Sequence, residues 1–189
     1  MPRAGLDAAV VTAAAAAVAD EIGLSGVTMQ VVADRLGVKA PSLYKHVGGL
    51  DDLRRRIAVL AATEVGDDLR DAMQGRAGKD ALRAAAGAVR RFVEQHPGRW
   101  AATVEVQAGG PDDPLTVALE RTLVSFAAAL RDYRLDPARQ VHALRMLRSV
   151  LQGFAALEAA GGFRYGVDVD ASFDWIVDFL DRGLRSAEA

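Results

Sequence analysis

The chain has 189 residues, 51% of them hydrophobic and 25% charged, enough for one compact body with a small extra module and too apolar for a disordered protein. A net charge of −2 argues against a protein that coats nucleic acid indiscriminately. With no cysteine, disulfides, thiolate metal sites and a cysteine nucleophile are excluded, and an intracellular protein is the simplest inference.

Gly and Pro fall mostly between apolar periodic segments and no strand ladder is visible, so the expected fold is all-α. Met1 to Leu6 reads as a loose arm, a frayed solvated terminus first of all, with Arg3 in reach of a phosphate or a minor groove as the alternative. From Asp7, the residues Val10, Ala14, Val18 and Ile22 recur at helical spacing, and Gly23 stops that helix. The Ala13 to Ala17 run is short, lacks a basic leader and precedes Asp20 and Glu21. It is neither a signal peptide nor a membrane span, which places the protein in the cytoplasm.

Thr28 to His46, TMQVVADRLGVKAPSLYKH, reads as two short helices around one glycine-centred turn. Thr28 is placed to cap the first, with Val27 and Val32 as a hydrophobic staple, and Gly37 supplies the left-handed backbone that ends it. Pro41 sits in the first turn of the second, expected over Ala40 to His46, where a missing amide costs nothing. The exposed face of this second helix carries Lys39, Ser42, Lys45 and His46. Between Arg35 and Arg56 six basic residues face only Asp51 and Asp52, so this end is basic and the remainder acidic. Such an asymmetry suits a dimer that doubles its basic surface on DNA.

Gly48 and Gly49 separate this hairpin from a helix running from Leu50 to about Met73, with Asp51 and Asp52 in its first turn. The linker QGRAGK at Gln74 to Lys79 superficially resembles a phosphate loop, but the spacing is wrong and Asp80 stands where a magnesium-binding hydroxyl is required. Further helices are expected over Lys79 to Gln95 and over Arg99 to Gln107. The loop AGGPDDP, Ala108 to Pro114, is expected to be neutral surface. Leu115 to Leu130 mark the next helix. Asp136-Pro137 opens a long one with an apolar seam of Val141, Leu144, Leu147, Leu151, Phe154 and Leu157. Asp170 is expected to cap a last helix that is apolar on two sides, with Trp175 and Phe179 on the second. A partner chain is the natural cover for that face. Nine helices result, three in a small module at 1–48 and six in a body at 49–189.

Gly37-Val38, then Leu43-Tyr44-Lys45-His46-Val47 and Asp52-Leu53, with Gly23, Val27, Thr28 and Ala33 before them, resemble the signature of TetR-family transcriptional regulators over the first quarter of the chain. The chain departs from the pattern at Leu50, where many members carry a lysine that contacts phosphate. The C-terminal body resembles the WHG-type regulatory domain, chiefly in HPGRW and LQGFAALEAAGGF, although Gln152-Gly153 stands where relatives often show His-Gly. The resemblance implies a DNA-binding, ligand-releasable homodimer. In it Ala40, Pro41 and Ser42 lie against base edges, while Thr28, Gln30, Tyr44 and His46 grip the DNA backbone.

Of eleven aromatics only Tyr44 precedes Phe92, so the rings of the body are available for an apolar pocket. Phe92, Trp100, Val104, Phe126, Met146 and Phe154 are its candidate lining, with Gln107, Arg145 or Gln152 as orienting polar groups. For any one of these residues plain core packing is an equal alternative. Arg145, Arg148 and Gln152 share two turns of one helix and face solvent, partner or an acidic ligand. Leu144, Leu151, Trp175, Ile176, Phe179 and Leu180 are the candidate dimer contacts. His46, His96 and His142 are scattered without a relay partner, and no nucleophile elbow occurs, so an enzyme is not expected. Asp168, Asp170 and Asp174 read as loop and cap residues, so neither a metal nor a cofactor is expected. The expected partners are double-stranded operator DNA, a second copy and a small-molecule effector, with no membrane. The competing reading is a helical adaptor that binds protein and no operator.

Overall fold

The computed structural model describes residues 5–186, so the expectation for Arg3 falls outside the described residues. Among the described residues there are nine α-helices, two short 3-10 turns and no strand, and no helix is long and apolar enough to cross a membrane. The chain packs as two compact units. One holds residues 5–62 with Gln95–Ala118, the other Thr63–Glu94 with residues 119–186.

In the first unit α1 (Ala8–Ile22) is capped by Asp7, whose carboxylate accepts from the Val10 amide at 2.8 Å. Its buried face is Val11, Ala15 and Val18 with Ala16 and Ala19, whereas Ile22 is 55% exposed and Val10 only half-buried. The expected stripe was one residue out of phase because five consecutive alanines give no large side chain to define it, and their small size lets neighbours approach this side closely. Gly23, at φ 82°, ends α1 and hands the chain to a 3-10 turn. α2 (Met29–Leu36) begins at Thr28, whose hydroxyl accepts from the Val31 amide at 3.2 Å, and Val27 and Val32 are fully buried beside it. Gly37, at φ 66°, closes α2, and the Val38 amide reaches back to the Ala33 carbonyl.

α3 (Ala40–Leu43) is shorter than expected. The chain continues through a turn in which the amides of His46 and Val47 both donate to the Leu43 carbonyl, with Leu43 and Val47 buried as its anchors. α4 (Leu50–Ala72) follows the two glycines, and α6 (Pro97–Glu105) begins directly at Pro97, two residues earlier than expected, as proline's fixed φ allows at a helix start.

The second unit is built by the part of α4 from Thr63 on, α5 (Gly78–Gln95), α7 (Pro114–Ala129) from Leu119 on, α8 (Pro137–Ala159) and α9 (Val169–Ser186). Leu82, Val89, Phe126, Leu147, Leu151, Phe173, Val177 and Leu184 form its core. The expected seam of α8 divides. Leu147, Leu151 and Phe154 are buried, Leu144 is half-buried, and Val141 and Leu157 are about half exposed on other faces. Asp168, not Asp170, caps α9: its side chain accepts from the Asp170 amide at 2.9 Å and its carbonyl from the Ser172 amide. Asp170 is thereby free to pair with Arg90 of α5 at 2.7 Å. Arg90 also binds Glu158 of α8 at 2.7 Å and lies over the rings of Phe154 and Phe173, so one cation holds the end of α8 and the start of α9 to α5.

Tyr133, 1% exposed, donates its hydroxyl to Asp181 of α9 at 2.7 Å, and Arg185 pairs with the same carboxylate. Burial pushes the Asp181 carboxyl up, but the hydrogen bonds from Arg185 and Tyr133 outweigh it and hold the group below its ordinary range. A carboxyl depressed in the folded state adds stability that is full above its unfolded pKa and is lost as pH falls through the folded value. Tyr133→Phe is therefore expected to cost about 1.5 to 3 kcal/mol at neutral pH, the worth of a hydrogen bond to a charged group. Urea unfolding measures the loss, which should shrink as pH falls below the ordinary carboxylate range and through the lower folded value, beneath which the carboxyl is protonated in both states.

Candidate nucleic-acid interface

The residues proposed to touch DNA all belong to α2, α3 and the turns beside them in the first unit. Thr28 and Gln30 open α2. Lys39, Ala40, Pro41 and Ser42 form the first turn of α3, and Tyr44, Lys45 and His46 follow in the turn after it. Tyr44 is 59% exposed while its neighbour Leu43 is fully buried, so packing does not account for the ring's position. Lys39, Pro41 and Lys45 are exposed, and Ala40, Ser42 and His46 half-buried. The Thr28 oxygen is an acceptor within its own cap, which leaves its proton for a phosphate. Gln30 donates to Asp34 at 2.7 Å and the Ser42 hydroxyl donates to the Lys39 carbonyl, so both are already oriented before any ligand arrives.

Electrostatics here are more economical than the residue count between Arg35 and Arg56 suggests. Arg35 is paired with Glu21, Arg55 with Asp113 and Arg56 with Asp52. Lys39 and Lys45 have no carboxylate partner among the described residues, and Arg54 is half-buried, with an Nε that lacks a hydrogen-bond partner there. The Asp52 carboxyl is held below its ordinary range, chiefly by Arg56 and then by the Gly48 amide, so it stays ionised and anchors the turn into α4.

Two carboxylates outside the expected site, Asp20 and Asp113, organise this unit. Asp20, in the last turn of α1 with a side chain 13% exposed, accepts from the backbone amide of Arg99 at 2.9 Å, contacts His96 Nδ1 at 3.1 Å and lies 3.0 Å from Arg99 Nε. Asp113 lies in the loop expected to be neutral. It accepts from the amides of Gly109 at 2.6 Å and Leu115 at 2.9 Å and pairs with Arg55 of α4 at 2.7 Å. Those two amides and Arg55, opposed by burial, hold its carboxyl below its ordinary range, the Leu115 amide foremost. The available signal was local: His96 precedes a helix without capping it, and Asp113-Pro114 is a cap followed by a helix-starting proline.

The proposed pocket residues are distributed over both units. Trp100, half-buried, and Val104 and Gln107, exposed, belong to the first, and Phe92, Phe126, Met146 and Phe154 to the second. Phe92, Phe126 and Phe154 are buried, and Phe154 packs against Phe163 and Phe173 at ring distances of 4.8 and 5.2 Å. Met146 opens onto a cleft of about 480 Å³ with Leu135, Arg139, His142 and Leu184. Arg145 and Arg148 are exposed on α8, and Gln152 is half-buried.

Of the proposed dimer contacts, Trp175 and Phe179 are 61% and 57% exposed and stack at 5.5 Å. Leu144 and Ile176 are half-buried, while Leu151 and Leu180 are buried within the chain and so do not offer surface to a partner.

Residues 11–57 match the sequence family described as bacterial regulatory proteins, tetR family, and residues 82–180 match the tetracyclin repressor-like C-terminal domain. The chain is 35% identical over 166 residues to the uncharacterized HTH-type transcriptional regulator Rv0681 of Mycobacterium tuberculosis, covering 88% of this chain and 76% of that protein. It is 31% identical over 187 residues to the uncharacterized HTH-type regulator YobS of Bacillus subtilis, covering 97% and 95%. The fold is similar to that of a Rhodococcus sp. RHA1 protein of unknown function, with a TM-score of 0.82 at 21% identity over 98% and 99% of the two chains. It is also similar to a TetR variant of Acinetobacter baumannii AYE in complex with minocycline, with a TM-score of 0.72 at 22% identity over 98% and 99%.

The two acidic residues of the 108–114 loop are expected to behave differently. Asp113→Ala should lower the thermal midpoint measured by circular dichroism, since it leaves the Gly109 and Leu115 amides and Arg55 without their acceptor. Asp112→Ala, at an exposed position, should leave the midpoint unchanged.

Proposed function

The chain belongs to the tetR family of bacterial regulatory proteins, and on that premise we propose that it is a homodimeric repressor acting in the cytoplasm, released from a near-palindromic operator by a small molecule. The observation that carries the reading is Tyr44, an aromatic held out to solvent beside Lys45 on a turn whose own anchors, Leu43 and Val47, are buried. A phenol and an ammonium so placed are suited to phosphate oxygens, with Ala40, Pro41 and Ser42 presented to base edges. In this reading residues 1–48 read the operator, while residues 49–189 dimerise and sense the effector.

Dimerisation is supported by the stacked, exposed Trp175 and Phe179, with Leu157 54% exposed on α8. A second copy seated on such a face buries apolar surface that water otherwise covers. The effector reading leans on the ring-rich second unit and on the family. The Acinetobacter baumannii fold relative was solved with minocycline, and an apolar or amphipathic ligand is the class proposed here.

Selection of bound genomic fragments followed by gel shift tests operator binding against the adaptor reading, in which no fragment is retained. Affinity for the selected duplex should fall with salt, and Lys45→Ala should reduce the slope of log affinity against log salt by about one unit per lost phosphate contact. Folded Lys45→Ala and Tyr44→Ala proteins that bind like the parent would sink the site assignment. Phe179→Glu should shift the protein from dimer to monomer in sedimentation at micromolar concentration. A parent chain that sediments as a monomer overturns the dimeric reading.

A further inference from the structure

The chain passes from the reading head, α1 to α3, into α4 through Gly48 and Gly49, the latter at φ 116°. Two consecutive glycines form a soft joint, since neither has a Cβ to restrict the backbone. Asp52 braces this joint by accepting from the Gly48 amide at 2.8 Å, and Leu53 and Ile57 of α4 are fully buried, but a head held only next to its joint still has the least resistance to a small rotation about it. The separation of two heads in a dimer must nevertheless match one DNA turn, about 34 Å, for both recognition elements to enter successive major grooves. Something other than the covalent connection must therefore stop the pivot.

The first unit contains such a second attachment. α6 starts at His96-Pro97-Gly98-Arg99, and its N-cap residue, His96, makes no side-chain bond to the free amides of the first turn. The acceptor comes from α1 instead: Asp20 Oδ1 takes the Arg99 amide, and Asp20 Oδ2 faces His96 Nδ1 and Arg99 Nε. Beside it the two backbones nearly touch, for a Cβ on Gly98 would stand 1.9 Å from the Ala19 carbonyl oxygen. In the loop after α6, Asp113 holds Arg55 of α4 at 2.7 Å. The head is thus fixed to α6 by Asp20, and the loop after α6 is fixed to α4 by Asp113. This closes a triangle around the glycine joint.

We infer that Asp20 is a positioning residue for operator recognition: by capping α6 from α1 it prevents the reading head from turning about Gly48-Gly49 and so sets which half-site spacing the dimer accepts. The inference rests on the dimeric reading above. It concerns the free protein and requires no effector.

The test uses the full chain and a series of duplexes that carry the two half-sites of the selected operator at their natural separation and with one or two base pairs added or removed. One base pair moves a half-site by about 3.4 Å and turns it by about 35°, which a fixed head does not follow. The parent should lose on the order of tenfold in affinity per added or removed pair, comparable to one mismatched base pair. Asp20→Ala should flatten this profile to within about threefold across the series, at a weaker optimum, because a pivoting head finds either spacing but must be ordered on binding. Asp20→Asn keeps an acceptor for the Arg99 amide and loses the charge, so it should fold like the parent and give an intermediate profile. Lys45→Ala, which acts at the DNA itself, should weaken all spacings equally. A folded Asp20→Ala or Asp20→Asn protein that retains the parent's sharp profile, or weakens all spacings equally, overturns the inference. A parent that is itself indifferent to spacing overturns the dimeric reading and this inference with it.

Discussion

The crossing of α1 and α6 at Gly98 is the constraint on which the first unit depends. Helix backbones normally stand 8 to 10 Å apart because side chains intervene. Here the sequence puts glycine on one helix and Ala19 on the other, and the space for a Cβ at residue 98 is already occupied by the Ala19 peptide. Such an approach brings the negative end of α1 against the positive start of α6, a favourable arrangement of helix dipoles, and it puts Asp20 within reach of amides that have no acceptor of their own. Proline at the first position of α6 removes one such amide, and Asp20 satisfies another. The alanine run of α1 belongs to the same solution, since Ala15, Ala16 and Ala19 are fully buried where larger residues would hold neighbours away.

The second unit solves an equivalent problem with charge and rings. α8 ends and α9 starts several residues apart, and the turns between them expose Tyr165 and Val167. Arg90 spans that gap from α5, between the carboxylates of Glu158 and Asp170 and above Phe154 and Phe173. A cation one-fifth exposed is stable there because each of its faces has a partner, two anionic and two aromatic.

What could be read from the sequence was what is encoded locally. Thr28, Gly37 and Pro41 each impose one backbone state over three or four residues, so the helix-turn-helix was legible down to its cap and its corner. The phase of α1 was not, because alanines are equally acceptable inside and outside. The cap of α9 was misassigned for a related reason: Asp168 and Asp170 both precede the apolar run, and only the position of Arg90, eighty residues away in sequence, decides which is left to cap. The links from Asp20 to Arg99 and from Arg55 to Asp113 join positions 79 and 58 residues apart. Such pairs leave no periodic trace, and in a chain with 25 acidic residues any one of them is an equally plausible partner until the fold brings it close.

The internal pairing of Arg35, Arg55 and Arg56 has a consequence for the search through a genome. Binding to arbitrary DNA is almost wholly electrostatic, and a carboxylate beside an arginine cancels most of its attraction for a phosphate that is far away compared with the separation of the pair. With those three cations neutralised, and only Lys39 and Lys45 on the proposed reading surface without a carboxylate partner among the described residues, each head of the proposed dimer has little long-range pull on random duplex. Fewer molecules are then sequestered on the many competing sites of a chromosome, and a larger share diffuses freely. In the proposed reading a modest copy number suffices to keep one operator occupied, and most of the contrast between target and background would rest on the short-range fit of a few side chains around Tyr44.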